Sequence, residues 1–191
     1  PVEKTADPHK ADILLESIGF GETGSKIDEK SWKYTILFSG ESRLCPNWEK
    51  FDCILWGKSS VGKIICCPLF LPYMISSGAV DRILEMDQNR GDHQKLPQYK
   101  KILAIISSPH GSERNQILDV LERYFTIDYA GRYRTNRSRI EAPYWTPEFW
   151  KEVSKYRCVI CMENSRDTDY LTEKITHGFA CGNVPIYWGA T

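Results

Sequence analysis

Short apolar runs recur along the chain, separated by polar stretches carrying glycine or proline, and in the second half segments with helical spacing lie between them. In the first half, ADILLESIGF (11–20), WKYTILFSG (32–40) and DCILWG (52–57) have the short, apolar, partly β-branched character of strands. From residue 100 the pattern becomes a regular alternation. KKILAIISS predicts a strand, SERNQILDVLERYF an amphipathic helix and TIDYAG a strand. TPEFWKEVSKY then predicts a helix with Thr146 as cap and Pro147 at the first helical position. RCVICMEN predicts a buried strand. A helix is expected from about Asp169, with Leu171, Ile175 and Phe179 on one stripe and Gly182 as its stop, before the strand VPIYW. Strands alternating with helices predict an α/β layered fold. Between Ser76 and Gln98 the periodicity lapses among Gly78, Asn89, Gly91 and Pro97, which predicts a loop-rich linker. The expected domains are therefore 1–98, with a linker from about 76, and 99–191.

Composition narrows the function classes more than it names one. The chain has 191 residues, and its 25 basic residues against 25 acidic ones leave no electrostatic footprint for nucleic acid. Any anion site must be local. The longest apolar candidate, KIICCPLFLPYMI, is interrupted by Pro68 and Pro72 and falls short of the roughly 18–20 residues a membrane helix needs. No leader precedes Pro1, so a processed form or a fragment is expected. Seven cysteines, an odd number without a repeating pattern, predict buried reduced thiols. Cys158 and Cys161 are three apart on a predicted strand and so point to opposite faces, which argues against a metal pair. Asn136-Arg-Ser is a glycosylation sequon.

Candidate chemistry concentrates in CMENSRDTDYLTEKITHGFACGNVPIYWG (161–189). A strand, a polar turn and a helix opening with polar side chains gather unpaired N–H groups and the positive end of a helix dipole at one point, where an anion binds. The order Glu-Asn, five residues, Tyr-x-Thr-Glu-Lys, then a helix and Val-Pro-Ile-Tyr-Trp-Gly resembles the donor-binding signature of the α-1,3/4-fucosyltransferases, glycosyltransferase family ten. Met162 departs from it, since many relatives carry Phe ahead of Glu-Asn; Met fills similar apolar volume. The first-half string LFSGESRLCPNWEKFDCILWG resembles bacterial members.

The resemblance implies two Rossmann-like domains of GT-B type, an acceptor-side domain followed by a donor-side domain. It implies an inverting transfer of L-fucose from GDP-fucose to a hydroxyl of an acceptor glycan. Relatives continue past the VPIYWG strand, so the donor domain is expected to be incomplete here. Carried onto this sequence, Arg114 and Lys174 are expected to clamp the diphosphate, Asn164, Tyr170 and Glu173 to contact the donor, and Glu41, following Gly40 at a strand end, to act as base. Ser112 is a candidate cap for the helix carrying Arg114. No metal is expected to be essential, with Mn²⁺ or Mg²⁺ not required. Asp167-Thr-Asp169 has the D-x-D form of metal-dependent glycosyltransferases, but an Asp capping the following helix is the simpler expectation. His177 is expected to be structural, and Trp145, Trp150 and Trp188 are candidates for core packing or sugar stacking. Bacterial likeness implies a cytoplasmic setting, with the Golgi lumen the alternative if an anchor precedes this chain. Another nucleotide sugar, or a glycan-binding role without catalysis, are the rival readings. A dinucleotide-dependent oxidoreductase is disfavoured because no G-x-G-x-x-G turn follows a predicted strand.

Overall fold

A computed structural model describes residues 3–18, 26–58, 60–88, 99–144 and 146–191. The chain divides into two compact units, Pro1–Leu69 and Phe70–Thr191.

In the first unit, strands β1 (Ile13–Ser17), β2 (Tyr34–Ser39), β3 (Cys53–Trp56) and β4 (Ile64–Cys66) pair in parallel and in sequence order. Successive parallel strands added in one direction through right-handed crossovers send their connections across one face of a sheet. That face holds the core: Leu14, Leu37 and Ile54 pack with Ile27, Cys45 and Phe51. The opposite face carries Ile13, Leu15, Tyr34 and Ile65, all exposed. Asp52 ties the start of β3 to the inner strand β2, its carboxylate accepting from Thr35 N at 2.8 Å and Thr35 Oγ1 at 2.9 Å.

The second unit opens with two helices, α1 (Phe70–Ser77) and α2 (Ala79–Gln88). Here the structure departs from the expected linker, whose described part is helical; Asn89–Gln98 lies outside the described residues. Pro72 sits in the first turn of α1, where no N–H is needed, and Gly78 takes φ 70° between the helices. Both helices pack on the last helix of this unit, so they belong with the residues that follow them.

Four parallel strands build its sheet: β5 (Tyr99–Ala104), β6 (Ile127–Tyr129), β7 (Tyr156–Met162) and β8 (Val184–Trp188), in the order β6-β5-β7-β8. Helix α3 (Ser112–Leu121) links β5 to β6, α4 (Pro147–Val153) links β6 to β7, and α5 (Glu173–Ala180) links β7 to β8. Because the chain steps one way from β5 and the other way afterwards, its helices lie on both faces. Leu118 of α3 joins Ile102, Ala104, Ile160 and Met162 in one core layer. Phe149 and Val153 of α4 join Leu103, Val159, Cys161 and Cys181 in the other. Cys158 and Cys161 accordingly belong to opposite layers, as the strand period requires. All seven cysteines are free, but only Cys45, Cys161 and Cys181 are buried; Cys66 is exposed on the edge strand β4. Thr146 caps α4 as expected, accepting from Phe149 N at 3.3 Å, with Pro147 at the first position. The sequon residue Asn136 seals the β6 edge, accepting from Tyr129 N at 2.7 Å and donating to Ile127 O at 2.9 Å.

Candidate functional site

Strands β5 and β7 are neighbours whose following helices depart to opposite faces, which makes the gap at their carboxyl ends a topological switch point. Two loops meet there, Ser107–Gly111 after β5 and Glu163–Thr172 after β7. They approach so closely that a Cβ on Gly111 would lie 2.7 Å from Asn164 O, and Gly111 itself takes φ 101°. Only glycine fits that position. Gly111 is also the N-cap of α3, in place of the expected Ser112, and gives that helix no side-chain cap. The first N–H groups of α3 are therefore left without a capping side chain at the carboxyl end of β5.

Arg114 lies in the first turn of α3, only 2% exposed. Its Nη2 donates to Ser108 O at 2.7 Å and to His110 O, so part of the guanidinium fork braces the loop from beneath. Its Nε is buried with no partner among the described residues. Burial lowers its pKa, with Tyr133 and then Glu163 opposing the shift. Arg114, expected to clamp the diphosphate, braces this loop through the N–H groups of Nη2.

Across the gap, Glu163 follows β7 and is wholly buried. Its Oε1 accepts from Thr172 N at 2.9 Å and Thr172 Oγ1 at 2.8 Å, and its Oε2 accepts from Lys174 Nζ at 2.9 Å. Lys174 Nζ also donates to Thr172 Oγ1 at 2.8 Å, while Glu173 Oε1 stands 3.8 Å away, an ion pair too long for a hydrogen bond. Burial works against the ammonium, but Glu173 and Glu163 outweigh it and hold its pKa above the usual lysine value. Two of its three N–H groups point at Glu163 and Thr172. The Lys174 side chain keeps 33% of its surface open.

Tyr170 is buried, and its hydroxyl donates to Asn164 Oδ1 at 3.2 Å; the half-buried Asn164 presents its backbone to Gly111. Asn164, Tyr170, Glu173 and Lys174 are thus gathered between the end of β7 and the first turn of α5, with Arg114 under the facing loop. Glu41 belongs to the first unit, exposed just past the carboxyl end of β2, where its carbonyl accepts from Trp56 Nε1 at 2.8 Å. Gly40 precedes it, and a Cβ there would lie 2.7 Å from Leu69 Cδ1, so that leucine side chain would have to shift.

Helix α5 starts four residues later than expected, and neither Asp167 nor Asp169 caps it. Asp169 takes the left-handed φ of 61°, and Asp167 Oδ1 accepts from Thr168 N at 2.8 Å within the turn. The N-cap is Thr172, whose hydroxyl is turned to Glu163 and makes no cap bond to its own helix. His177 is buried as expected, stacked on Tyr144 with ring centroids 4.9 Å apart. Trp150 lies beneath Arg82, 4.8 Å from ring centroid to guanidinium carbon, and Trp188 packs on the core layer of α3; Trp145 lies outside the described residues. Sequence reasoning missed Glu163, Thr172 and Gly111 as site residues. The first two stand inside the signature, but a carboxylate read beside Asn164 gives no sign that it turns inward.

Residues 96–191 match the family described as glycosyltransferase family 10 (fucosyltransferase), C-terminal part. An α-(1,3)-fucosyltransferase B of Drosophila melanogaster is 30% identical over 86 residues, covering 41% of this chain and 19% of the fly protein. An α-(1,3)-fucosyltransferase FucT of Helicobacter pylori is 28% identical over 86 residues, 45% of this chain and 17% of that protein. This chain therefore spans less than a fifth of either relative. Among solved structures, an α1,3-fucosyltransferase superposes with a TM-score of 0.73 at 17% identity, over 94% of this chain and 57% of the other. Another, with GDP-fucose, superposes at 0.65 and 16% identity, over the whole of this chain and 72% of the other. These likenesses carry the GT-B type fold.

Proposed function

This chain belongs to glycosyltransferase family 10, the fucosyltransferases, and from that premise we propose that its second unit holds the GDP-fucose of an inverting fucosyl transfer. The observation that carries the reading is the pairing of an ammonium, Lys174, with the uncapped N-terminus of α5 at the switch point. A diphosphate is the ligand such a place suits: N–H groups and one oriented cation face it, and a helix dipole favours its charge. Solved relatives of this fold were crystallised with GDP and with GDP-fucose, which supports the same class of ligand here.

In the transfer, the acceptor hydroxyl oxygen bonds to the anomeric carbon of fucose as that carbon's bond to the β-phosphate oxygen breaks. The proton of the hydroxyl passes to a carboxylate, and GDP leaves with the bonding pair. Negative charge grows on the departing phosphate, so Lys174 and the first turn of α5 stabilise the transition state more than the ground state. On this reading Glu41 is the base, Tyr170 and Asn164 order the loop on which the donor rests, and Glu173 accepts from donor hydroxyls. Leaving-group charge is met by protein groups, so a divalent metal is not required.

Titration calorimetry with GDP and with a UDP-sugar tests the reading. We expect GDP to bind and the UDP-sugar not to, and Lys174→Ala to weaken GDP by about tenfold or more, the loss of a charge-assisted hydrogen bond. Equal binding of both nucleotides, or a Lys174→Ala variant with wild-type affinity, overturns it.

A further inference from the structure

We propose that Glu163 is a positioning residue for the donor, aiming Lys174 and keeping the first turn of α5 uncapped by engaging the Thr172 hydroxyl. The inference rests on the donor-site reading above and adds a residue to it. A fully buried carboxylate is costly unless it is paired and hydrogen-bonded, and Glu163 meets that condition through Thr172 N, Thr172 Oγ1 and Lys174 Nζ. Its place is closed from behind as well. A Cβ on Gly189 would fall 2.4 Å from Glu163 Cγ, and Glu163 N donates to Trp188 O at 2.8 Å, so the end of β8 is shaped around it.

Two consequences reach the ligand side. The Thr172 hydroxyl contacts both carboxylate oxygens, at 2.8 and 2.7 Å, and accepts from Lys174 at 2.8 Å. A threonine at an N-cap ordinarily accepts from the second or third N–H of its helix; this one is committed elsewhere, and those donors stay available. With two Lys174 N–H groups held by Glu163 and Thr172, the direction of the third is set before any ligand arrives, which lowers the ordering cost of binding. Glu163 never touches the nucleotide. It acts through two groups that do.

Charge alone and positioning predict opposite signs. If Glu163 merely adds negative charge near a diphosphate, Glu163→Gln, which keeps size and removes charge, tightens GDP. If it positions, the same change weakens GDP, because an amide N–H₂ then faces the ammonium. The test is calorimetry of GDP and guanosine on the full chain for wild type, Glu163→Gln, Lys174→Ala and the double variant, with Thr172→Val as a milder break in the same network. We expect GDP to weaken about tenfold or more in Glu163→Gln and measurably in Thr172→Val, with guanosine little changed. We also expect Lys174→Ala to cost less in the Glu163→Gln background than in wild type. Tighter GDP in Glu163→Gln, or losses that simply multiply, overturns the proposal while leaving the donor site standing. A Glu163→Gln chain that does not fold passes the decision to Thr172→Val, where wild-type GDP affinity overturns it. A wild-type chain that binds no guanine nucleotide removes the underlying reading and the proposal with it.

Discussion

At Gly111 the space for a side chain is already taken: the nearest atom to an added Cβ is Asn164 O at 2.7 Å, and φ is 101°. Gly111→Ala therefore strains the backbone and pushes the two loops apart. We expect a loss of about 1–3 kcal/mol in stability by chemical denaturation, with GDP affinity falling further than in a comparably destabilised core variant. Equal losses in both variants place the effect on folding alone. Residues of this kind mark the limit of what the sequence shows. Asn164, Tyr170, Glu173 and Lys174 were legible because the signature fixes their order, and the structure does bring them together. Arg114 was legible as a position but not as a brace, because the carbonyls of Ser108 and His110 that engage it come from loop geometry. Glu163 was printed in the motif, yet its inward turn depends on the glycine at 189, which closes the chain behind it.

Elements with a strong period were read correctly: β1, β2, β3, β6 and β8 fall within the predicted strands, β5 and β7 begin one residue before theirs, and α3 and α4 fall within the predicted helices. Helices α1 and α2 were missed because Pro72 and Gly78 look like loop punctuation when neither interrupts a hydrogen bond that the helices need. The start of α5 was misplaced because Thr172, not an aspartate, takes the cap position. Strand faces in the first unit give a contrast to measure. Leu37 is fully buried in β2, whereas Leu15 in β1 is 66% exposed. Leu37→Ala is expected to cost about 2–5 kcal/mol, and Leu15→Thr no more than about 0.5 kcal/mol, by urea unfolding. Similar costs at both sites contradict the one-sided core. Helix α5 carries a pH dependence of its own. Burial lowers the His177 pKa, Glu173 opposing and Lys174 reinforcing the shift, against packing by Tyr144, Tyr73 and Phe149. The folded chain therefore binds this proton less readily than the unfolded one. Stability from the neutral ring is present above the ordinary histidine value of about 6.5 and is lost as pH falls below it toward the depressed folded value. His177→Phe should flatten the melting-temperature profile below that pH; an unchanged slope contradicts the assignment.

For the molecule as a whole, the α/β class and the two-unit plan were legible from the alternation of periods, because layered folds write their topology into the order of strands and helices. The second compact unit begins at Phe70. Phe70–Gln88 joins the second unit through packing on α5, a tertiary preference with no local signature. The family was legible only through the signature, since balanced charge and ordinary composition exclude little more than nucleic acid. What the structure adds is the reason the signature sits where it does: it follows β7 at the switch point of a doubly wound sheet and faces the loop that Arg114 braces. On the proposed reading the donor binds in that gap. Hydrogen–deuterium exchange of the full chain with and without GDP-fucose tests it most directly. Slowed exchange confined to Ser107–Arg114 and Glu163–Ile175 is the predicted result; protection that spares both segments, or that falls on the first unit alone, contradicts it.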